Sequence, residues 1–204
     1  MSVQAELKKD LVSPSDKFQY PFYVGITGGY GTTTWNQLVS RNFTAAMVLS
    51  TPIGVEEGGA AWGLFAGYEF IPTFAVEASY LRYPSAKIVF SPMSIFAFDM
   101  GSTQFSSKTE MLALSGKFMV LVPYTTIRAY SSAGAAGIHR NDFVNNTWTP
   151  SAVFGVGFNY NLTPRVMLEI GADYATGSGQ SELDPAEDYI PFTYAVFGRI
   201  AYRF

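Results

Sequence analysis

The stretch "FTYAVFGRIAYRF", residues 192–204, decides the fold because its side chains alternate in character up to the last residue. On a β-strand, successive side chains point to opposite faces. One face carries the large apolar and aromatic side chains Phe192, Tyr194, Val196, Ile200, Tyr202 and Phe204. The other face carries Thr193, Ala195, Phe197, Arg199, Ala201 and Arg203. In a soluble sandwich we would expect such a terminal strand to fray or to continue into a polar tail.

The same two-residue alternation recurs in seven earlier segments and predicts seven more strands. These segments are residues 21–31, 62–70, 74–81, 112–122, 126–137, 152–160 and 165–174. The alternation is weakest in 126–137, where both faces carry small residues.

The connections between these segments fall into two length classes. Short turns contain Pro72, Pro123 and Pro164, whereas the links at 32–60, 84–108, 139–150 and 177–190 are longer. Short turns on one side and long loops on the other are typical of transmembrane β-barrels. A soluble barrel with the apolar face inside is the alternative. It is disfavoured because aromatic residues recur near strand ends and the opposite face is small rather than long and charged.

The sequence therefore predicts an all-β, eight-stranded antiparallel up-and-down transmembrane β-barrel over residues 21–204. Residues 1–20 form an N-terminal lead-in, either a short helix or a disordered segment. "MSVQAELKKD" lacks the apolar core of a secretory signal, so we expect a mature or recombinant terminus, or a chain that is not exported.

The composition excludes several other classes of protein. A net charge of −3 gives no basic footprint for nucleic acid. The absence of cysteine excludes disulfides and thiol chemistry. No apolar stretch reaches the roughly 18 residues of a membrane-spanning helix. Charged residues make up 14% of the chain, against a usual share of about 25%.

An ionisable residue on the small face follows each short turn by five positions: Glu77 after Pro72, Arg128 after Pro123 and Glu169 after Pro164. An eight-stranded barrel has an interior that side chains fill, and buried charges there must be paired. We therefore predict an internal salt-bridge network that closes the lumen, formed by Glu69, Glu77, Lys117, Arg128, Glu169 and Arg199. The alternative is that some of these side chains line hydrated pockets.

Taken in order, four motifs resemble the outer-membrane domain of the OmpA family and its small eight-stranded relatives. They are "FYVGITGGYG", "GLFAGYEFIPTFAVEASY", "LSGKFMVLVPYTTIRAY" and "VGFNYNLTPRVMLEIGADY". The resemblance implies a monomeric barrel in a Gram-negative outer membrane, with internal salt bridges, periplasmic termini and surface loops. It also implies that Ile200, Tyr202 and Phe204 of "GRIAYRF" form the C-terminal signal for the barrel-assembly machinery. No peptidoglycan-binding domain follows Phe204, so a cell-wall anchoring role is not expected.

Catalysis and metal binding have little support in the sequence. Acyl transfer would pair a serine with a histidine base, but His139 is the single histidine and lies far along the strand from Ser131. The acidic residues Glu56, Glu57, Glu182, Asp184, Glu187 and Asp188 lack the ordered pattern of a calcium loop. We expect no enzyme activity, no cofactor and no metal.

Two long links contain the apolar segments "NFTAAMVLSTPIG" and "IVFSPMSIFAFDMG". Exposed apolar patches often mark contact surfaces, so the links 32–60 and 84–108 could contact a host or cell-surface partner. The alternative is that both segments extend the strands or pack over the barrel mouth. We expect a structural or surface-interaction protein in contact with outer-membrane lipids and lipopolysaccharide. A narrow or gated channel is the second interpretation of the function, and a lipid-modifying enzyme is the third.

Overall fold

The computed structural model describes residues 20–39, 49, 51–95, 101–179 and 189–204. Within them lie one short 3-10 helix, Trp35–Leu38, and ten strands. The strands are β1 Phe22–Thr33, β2 Pro52–Glu56, β3 Gly59–Ile71, β4 Phe74–Arg82, β5 Ala86–Phe90, β6 Gln104–Leu121, β7 Ile127–Asn141, β8 Asn146–Asn161, β9 Val166–Ala175 and β10 Thr193–Arg203. None of the described helical residues forms a segment long and apolar enough to cross a membrane.

Eight of these strands close into an antiparallel barrel in the order β1-β3-β4-β6-β7-β8-β9-β10, and β10 pairs with β1. The predicted fold class is confirmed. The edges of β10 are both paired, to β1 on one side and to β9 on the other. Its backbone groups are therefore satisfied without water, as a bilayer requires.

The strand register fixes the shape of the barrel. Following paired residues from Tyr160 on β8 through β9, β10, β1, β3, β4, β6 and β7 leads back to β8 at Pro150, a displacement of ten residues. With ordinary strand spacings, ten residues of stagger over eight strands correspond to a tilt of about 40° and a radius of about 8 Å. Such an interior has room for side chains and little else.

The predicted outward and inward faces are those of the barrel. Tyr194, Val196, Ile200 and Tyr202 on β10 are 43–64% exposed, whereas Arg199 and Arg203 are buried in the lumen. Aromatic rings touch in sequence around the end that carries the short turns, through Phe204, Phe22, Tyr68, Phe70, Phe74 and Phe118. At the other end Trp62 contacts Tyr80, and Tyr174 contacts Tyr194. Two such aromatic girdles bound the apolar band of a membrane barrel.

The structure corrects the predicted long links. Strands β2 and β5 lie within links 32–60 and 84–108 and pair with each other, and β5 pairs with the upper part of β6. The predicted link 139–150 is only the turn 142–145, because β7 and β8 continue to Asn141 and Asn146. Their outward side chains there mix polar residues, such as Asn141 and Asn146, with Trp148 and Pro150, which interrupts the apolar alternation that identified the lower strands. The described parts of the two apolar segments lie partly in β2 and β5, which favours the alternative that these segments extend the strands or pack over the barrel mouth.

Candidate functional site: the charged lumen

The inward positions of four strands bring two acids and two bases together near mid-barrel. Glu77 lies on β4, Lys117 on β6, Glu169 on β9 and Arg199 on β10. Arg199 and Glu169 are register partners on adjacent strands. Glu77 and Lys117 reach them across the lumen, which the small radius allows. We call this group, with Asp173, the central cluster.

Each member of the central cluster contacts an opposite charge. Lys117 Nζ lies 3.4 Å from Glu77 Oε2 and also contacts Glu169. Arg199 Nη1 donates to Glu77 at 2.9 Å and to Glu169 at 3.0 Å. Arg199 Nη2 donates to Asp173 Oδ2 at 3.0 Å. Two bases thus share three carboxylates, and the groups are almost wholly removed from solvent.

Neighbouring side chains complete the environment of these charges. The Tyr23 hydroxyl donates to Glu77 Oε2 at 3.0 Å, and the Lys117 ammonium lies 4.0 Å from the centre of the Tyr130 ring. The Arg199 guanidinium lies 3.9 Å from the Phe197 ring. At Gly155 an added Cβ would lie 2.3 Å from Asp173 Oδ1. The inward glycine therefore makes room for a carboxylate of the cluster.

A second ion-pair group lies nearer the short turns. Glu69 on β3 contacts Arg128, and Arg203 Nη2 approaches Glu69 Oε2 at 2.6 Å. Arg128 also donates from Nε to Asn159 Oδ1 at 2.9 Å and from Nη1 to the Pro72 carbonyl at 3.4 Å. We call Glu69, Arg128 and Arg203 the lower cluster. It ties the first short turn to the last strand.

The structure distributes the six residues predicted for the network between these two clusters, four to the central and two to the lower. Two further charged residues, Asp173 and Arg203, belong to the clusters and were not in the predicted set. The alternation placed both on the inward face, so the signal was present. Spacing from the short turns does not find them, because ion pairing follows height in the barrel rather than distance from a turn.

Above the central cluster the lumen is filled mainly by apolar side chains, with a few buried hydroxyl residues such as Thr193. Met111, Ile138, Val153, Leu81 and Phe197 belong to one buried group spanning the barrel. Between it and the central cluster lies a cavity of about 10 Å³, bordered by Ser79, Ser115, Ser132, Lys117 and Asp173 among others. That volume accommodates roughly one water molecule. We call the apolar group the apolar layer.

A fully buried arginine organises the mouth of the barrel at the long-loop end. The guanidinium of Arg140 lies 4.7 Å from the Trp35 ring, donates to the Tyr189 carbonyl at 2.8 Å and pairs with Asp142 at 2.6 Å. The Tyr189 hydroxyl donates to the Thr34 carbonyl at 2.8 Å, and burial raises its pKa. These residues hold three connections together, and we call them the mouth cap.

The side of the mouth cap that faces strands β2 and β5 is apolar. Trp35 and Tyr189 pack with Leu38, Ala86, Ile88, Phe90 and Phe105. Strands β2 and β5 were not predicted from the sequence, so neither this packing nor the role of Arg140 could be found there.

The acidic residues Glu182, Asp184, Glu187 and Asp188 lie outside the described residues. Glu57 accepts hydrogen bonds from Thr33, Trp35 and Asn36.

The residues of the predicted assembly signal lie on the outward face of β10 and at its end. Ile200, Tyr202 and Phe204 are about half exposed. Phe204 N donates to the Phe22 carbonyl at 3.0 Å, and the Tyr202 hydroxyl accepts from Arg165 at 3.1 Å. They are placed where β10 closes against β1. Their recognition by assembly machinery remains a prediction.

His139 is on the outward face of β7. Its Nε2 lies 2.8 Å from Asn146 Oδ1, its Nδ1 lies 3.6 Å from Glu110, and its ring stacks on Trp148 at 4.7 Å. Ser131 is on the same face eight residues below. None of these described contacts joins His139 to a serine hydroxyl.

The closed eight-stranded barrel, its aromatic girdles and its buried charges define a small membrane barrel of the outer-membrane class. The sequence profile of the OmpA-like transmembrane domain matches residues 19–204. The chain belongs to this family, as the resemblance of its hairpins predicted. No curated protein matches the chain by sequence.

Solved structures with the same fold are outer-membrane proteins. Neisserial surface protein A is 16% identical, with 90% of this chain and 97% of that chain covered and a TM-score of 0.54. The barrel domain of Pseudomonas aeruginosa OprF is 13% identical, with 91% and 100% covered and a TM-score of 0.50. OprG of the same organism is 11% identical, with 91% and 96% covered and a TM-score of 0.53. At these identities the likeness concerns the fold alone.

Proposed function

We propose that this outer-membrane barrel is a non-enzymatic structural and surface-interaction protein whose lumen is closed. The observation that carries the proposal is the central cluster, in which Lys117 on β6 and Arg199 on β10 bridge three carboxylates from two other strands, β4 and β9. The lower cluster, the apolar layer and the mouth cap are three further obstructions along the same axis. A pathway for solutes would have to break all four.

Planar-bilayer recording of the purified protein tests the closed lumen. We expect no sustained conductance from the wild-type barrel at moderate voltage. Frequent openings of uniform size would instead favour the narrow or gated channel. One observation supports that second candidate: Lys117 contacts both Glu77 and Glu169, so its ion pairs could exchange partners without leaving the cluster.

The surface-interaction role is proposed for the long-loop end, which we assign to the cell exterior, with the termini and short turns in the periplasm. Met93 and Ile95, in link 84–108, are 74% and 71% exposed. Exposed apolar side chains of this kind suit contact with another surface. A host or neighbouring cell is the partner we propose for links 32–60 and 84–108.

Whole-cell adhesion tests this assignment. We expect M93S/I95S, and deletion of residues 43–54, to lower adhesion. The matched control is Y124S. Tyr124 is fully exposed, but it lies in the short turn after β6, at the end of the barrel that we assign to the periplasm. Adhesion reduced by Y124S but not by M93S/I95S would contradict the assignment.

A further inference from the structure

The described outward-facing bases at the long-loop end lie on one side of the barrel. Among the described residues, Arg82 on β4, Lys87 on β5 and Lys108 on β6 point outward there, on neighbouring strands. Arg165, the one further exposed base in the described part of the chain, lies in a short turn at the opposite end. The outward faces of β9, β10 and β1 carry no charge. We call Arg82, Lys87 and Lys108 the basic rim.

The basic rim begins directly above the aromatic girdle. Arg82 follows Tyr80 on the same face of β4, one side-chain step of about 7 Å along the strand. Tyr80 contacts Trp62 edge-to-face at 6.2 Å. Girdle aromatics lie at the level of lipid headgroups. The rim is therefore at or just above the headgroups when the barrel is in a membrane.

Arg82 is paired with one carboxylate, that of Glu110 on the neighbouring strand β6. Arg82 Nε lies 3.8 Å from Glu110, and Glu110 lies 3.6 Å from His139 Nδ1. Glu56 is the register partner of Lys87. The register partner of Lys108 is Asn141. No ion pair of Lys87 or Lys108 is present among the described residues, so two ammonium groups are available to an external anion.

An apolar surface runs directly below the rim. Leu112 and Leu114 follow Glu110 on the outward face of β6 and are 55% and 59% exposed. A molecule lying along β6 would thus meet cations at its upper part and aliphatic side chains below. That order matches a lipid with a phosphorylated headgroup and acyl chains.

We propose that the basic rim binds the phosphorylated headgroup of an outer-leaflet lipid, with its acyl chains along the outward face of β6. Lys87 and Lys108 contact the phosphates, and Arg82 reaches them from its pair with Glu110. The chemistry is charge-assisted binding of phosphate by cations at a membrane surface. The proposal requires only the membrane position of the barrel and not an adhesive role.

Native mass spectrometry of the full chain in detergent micelles tests the proposal. The probe is diphosphorylated lipid A, compared with the same lipid after enzymatic dephosphorylation. We expect wild-type protein to retain the phosphorylated lipid preferentially. R82Q/K87Q/K108Q should bind it on the order of 100-fold more weakly, because each basic residue near an anionic surface contributes about fivefold. E110Q should bind it more tightly.

The matched control is R165Q, which removes an exposed base at the opposite end and should bind like wild type. Heat-modifiable migration in gels verifies that each variant is folded. Equal retention by the triple variant and R165Q would overturn the proposal, as would equal retention of the dephosphorylated lipid. Complete displacement by inorganic phosphate would also overturn it, since it would indicate a site for free phosphate. The assay contains no cells, so its outcome is independent of the adhesion experiment.

Discussion

The two halves of the lumen are closed by different interactions. Between mid-barrel and the short turns the central and lower clusters hold four acids and four bases, namely Glu69, Glu77, Glu169 and Asp173 with Lys117, Arg128, Arg199 and Arg203. Toward the long loops the lumen is filled by the apolar layer, and the mouth cap above it contains a single buried ion pair, Arg140 with Asp142. The charged half depends on complete pairing, because an unpaired buried charge costs several kcal/mol. The apolar layer depends on packing, so a substitution there should disturb only the side chains that surround it.

The strongest test of this contrast is R199A. It leaves Glu77, Glu169 and Asp173 with one base between them, so we expect the unfolding free energy to fall by about 3–5 kcal/mol. Urea denaturation in micelles, followed by tryptophan fluorescence, measures the loss. R165A is the control, because Arg165 is exposed. Equal unfolding midpoints for the two variants would show that the central cluster does not stabilise the barrel.

The matching test in the apolar layer is I138A, at a residue with no solvent exposure. Removing buried methylene groups should cost about 2–4 kcal/mol through lost burial and a residual cavity. I170A is the control, since Ile170 is 63% exposed on the outward face and its truncation leaves no internal cavity. The same denaturation assay applies. A larger loss for I170A than for I138A would contradict the assignment of the layer.

E77Q separates charge from shape in the central cluster. Glutamine keeps the volume but leaves Lys117 and Arg199 short of one carboxylate, so we expect a loss of about 1–3 kcal/mol and more frequent conductance events. Single-channel recording measures the second effect. E110Q, at a partly exposed carboxylate on the outward face of β6, should leave conductance unchanged. If E77Q changed neither stability nor conductance, the closure by ion pairs would be refuted.

The smallest effect is expected for Y189F in the mouth cap. The substitution removes the hydrogen bond from the Tyr189 hydroxyl to the Thr34 carbonyl, worth about 1 kcal/mol. Amide hydrogen exchange within the 3-10 helix Trp35–Leu38 should accelerate while the barrel strands exchange at wild-type rates. Y124F, at a fully exposed tyrosine, is the control. Unaltered exchange in the helix would mean that this bond does not hold the cap.

The barrel was predictable because period-two alternation depends on local geometry alone. In β10 the apolar face and the arginine face could be assigned from Phe192 to Phe204 without any partner strand. The same signal failed above the membrane. In the upper parts of β7 and β8 the outward positions mix polar residues such as Asn141 with Trp148 and Pro150, so the apolar alternation is interrupted there.

The charged site was predicted in composition but not in connectivity. Alternation placed Glu77, Lys117 and Arg199 in the lumen. Which acid meets which base depends on strand tilt and register. These set the height of each residue along the barrel axis relative to residues on the neighbouring strands. That is why Asp173 reaches Arg199 from four residues above Glu169, and why Arg203 pairs with Glu69 on a strand far away in sequence.

The sequence by itself determined an eight-stranded membrane barrel with charges inside, because side-chain alternation and the need to pair buried charges are local or compositional constraints. The tertiary structure alone decided the ten-residue stagger, the two ion-pair clusters, the mouth cap around Arg140 and the one-sided basic rim. Each of these depends on distances between residues remote in the chain, and those distances exist only once the strands have closed.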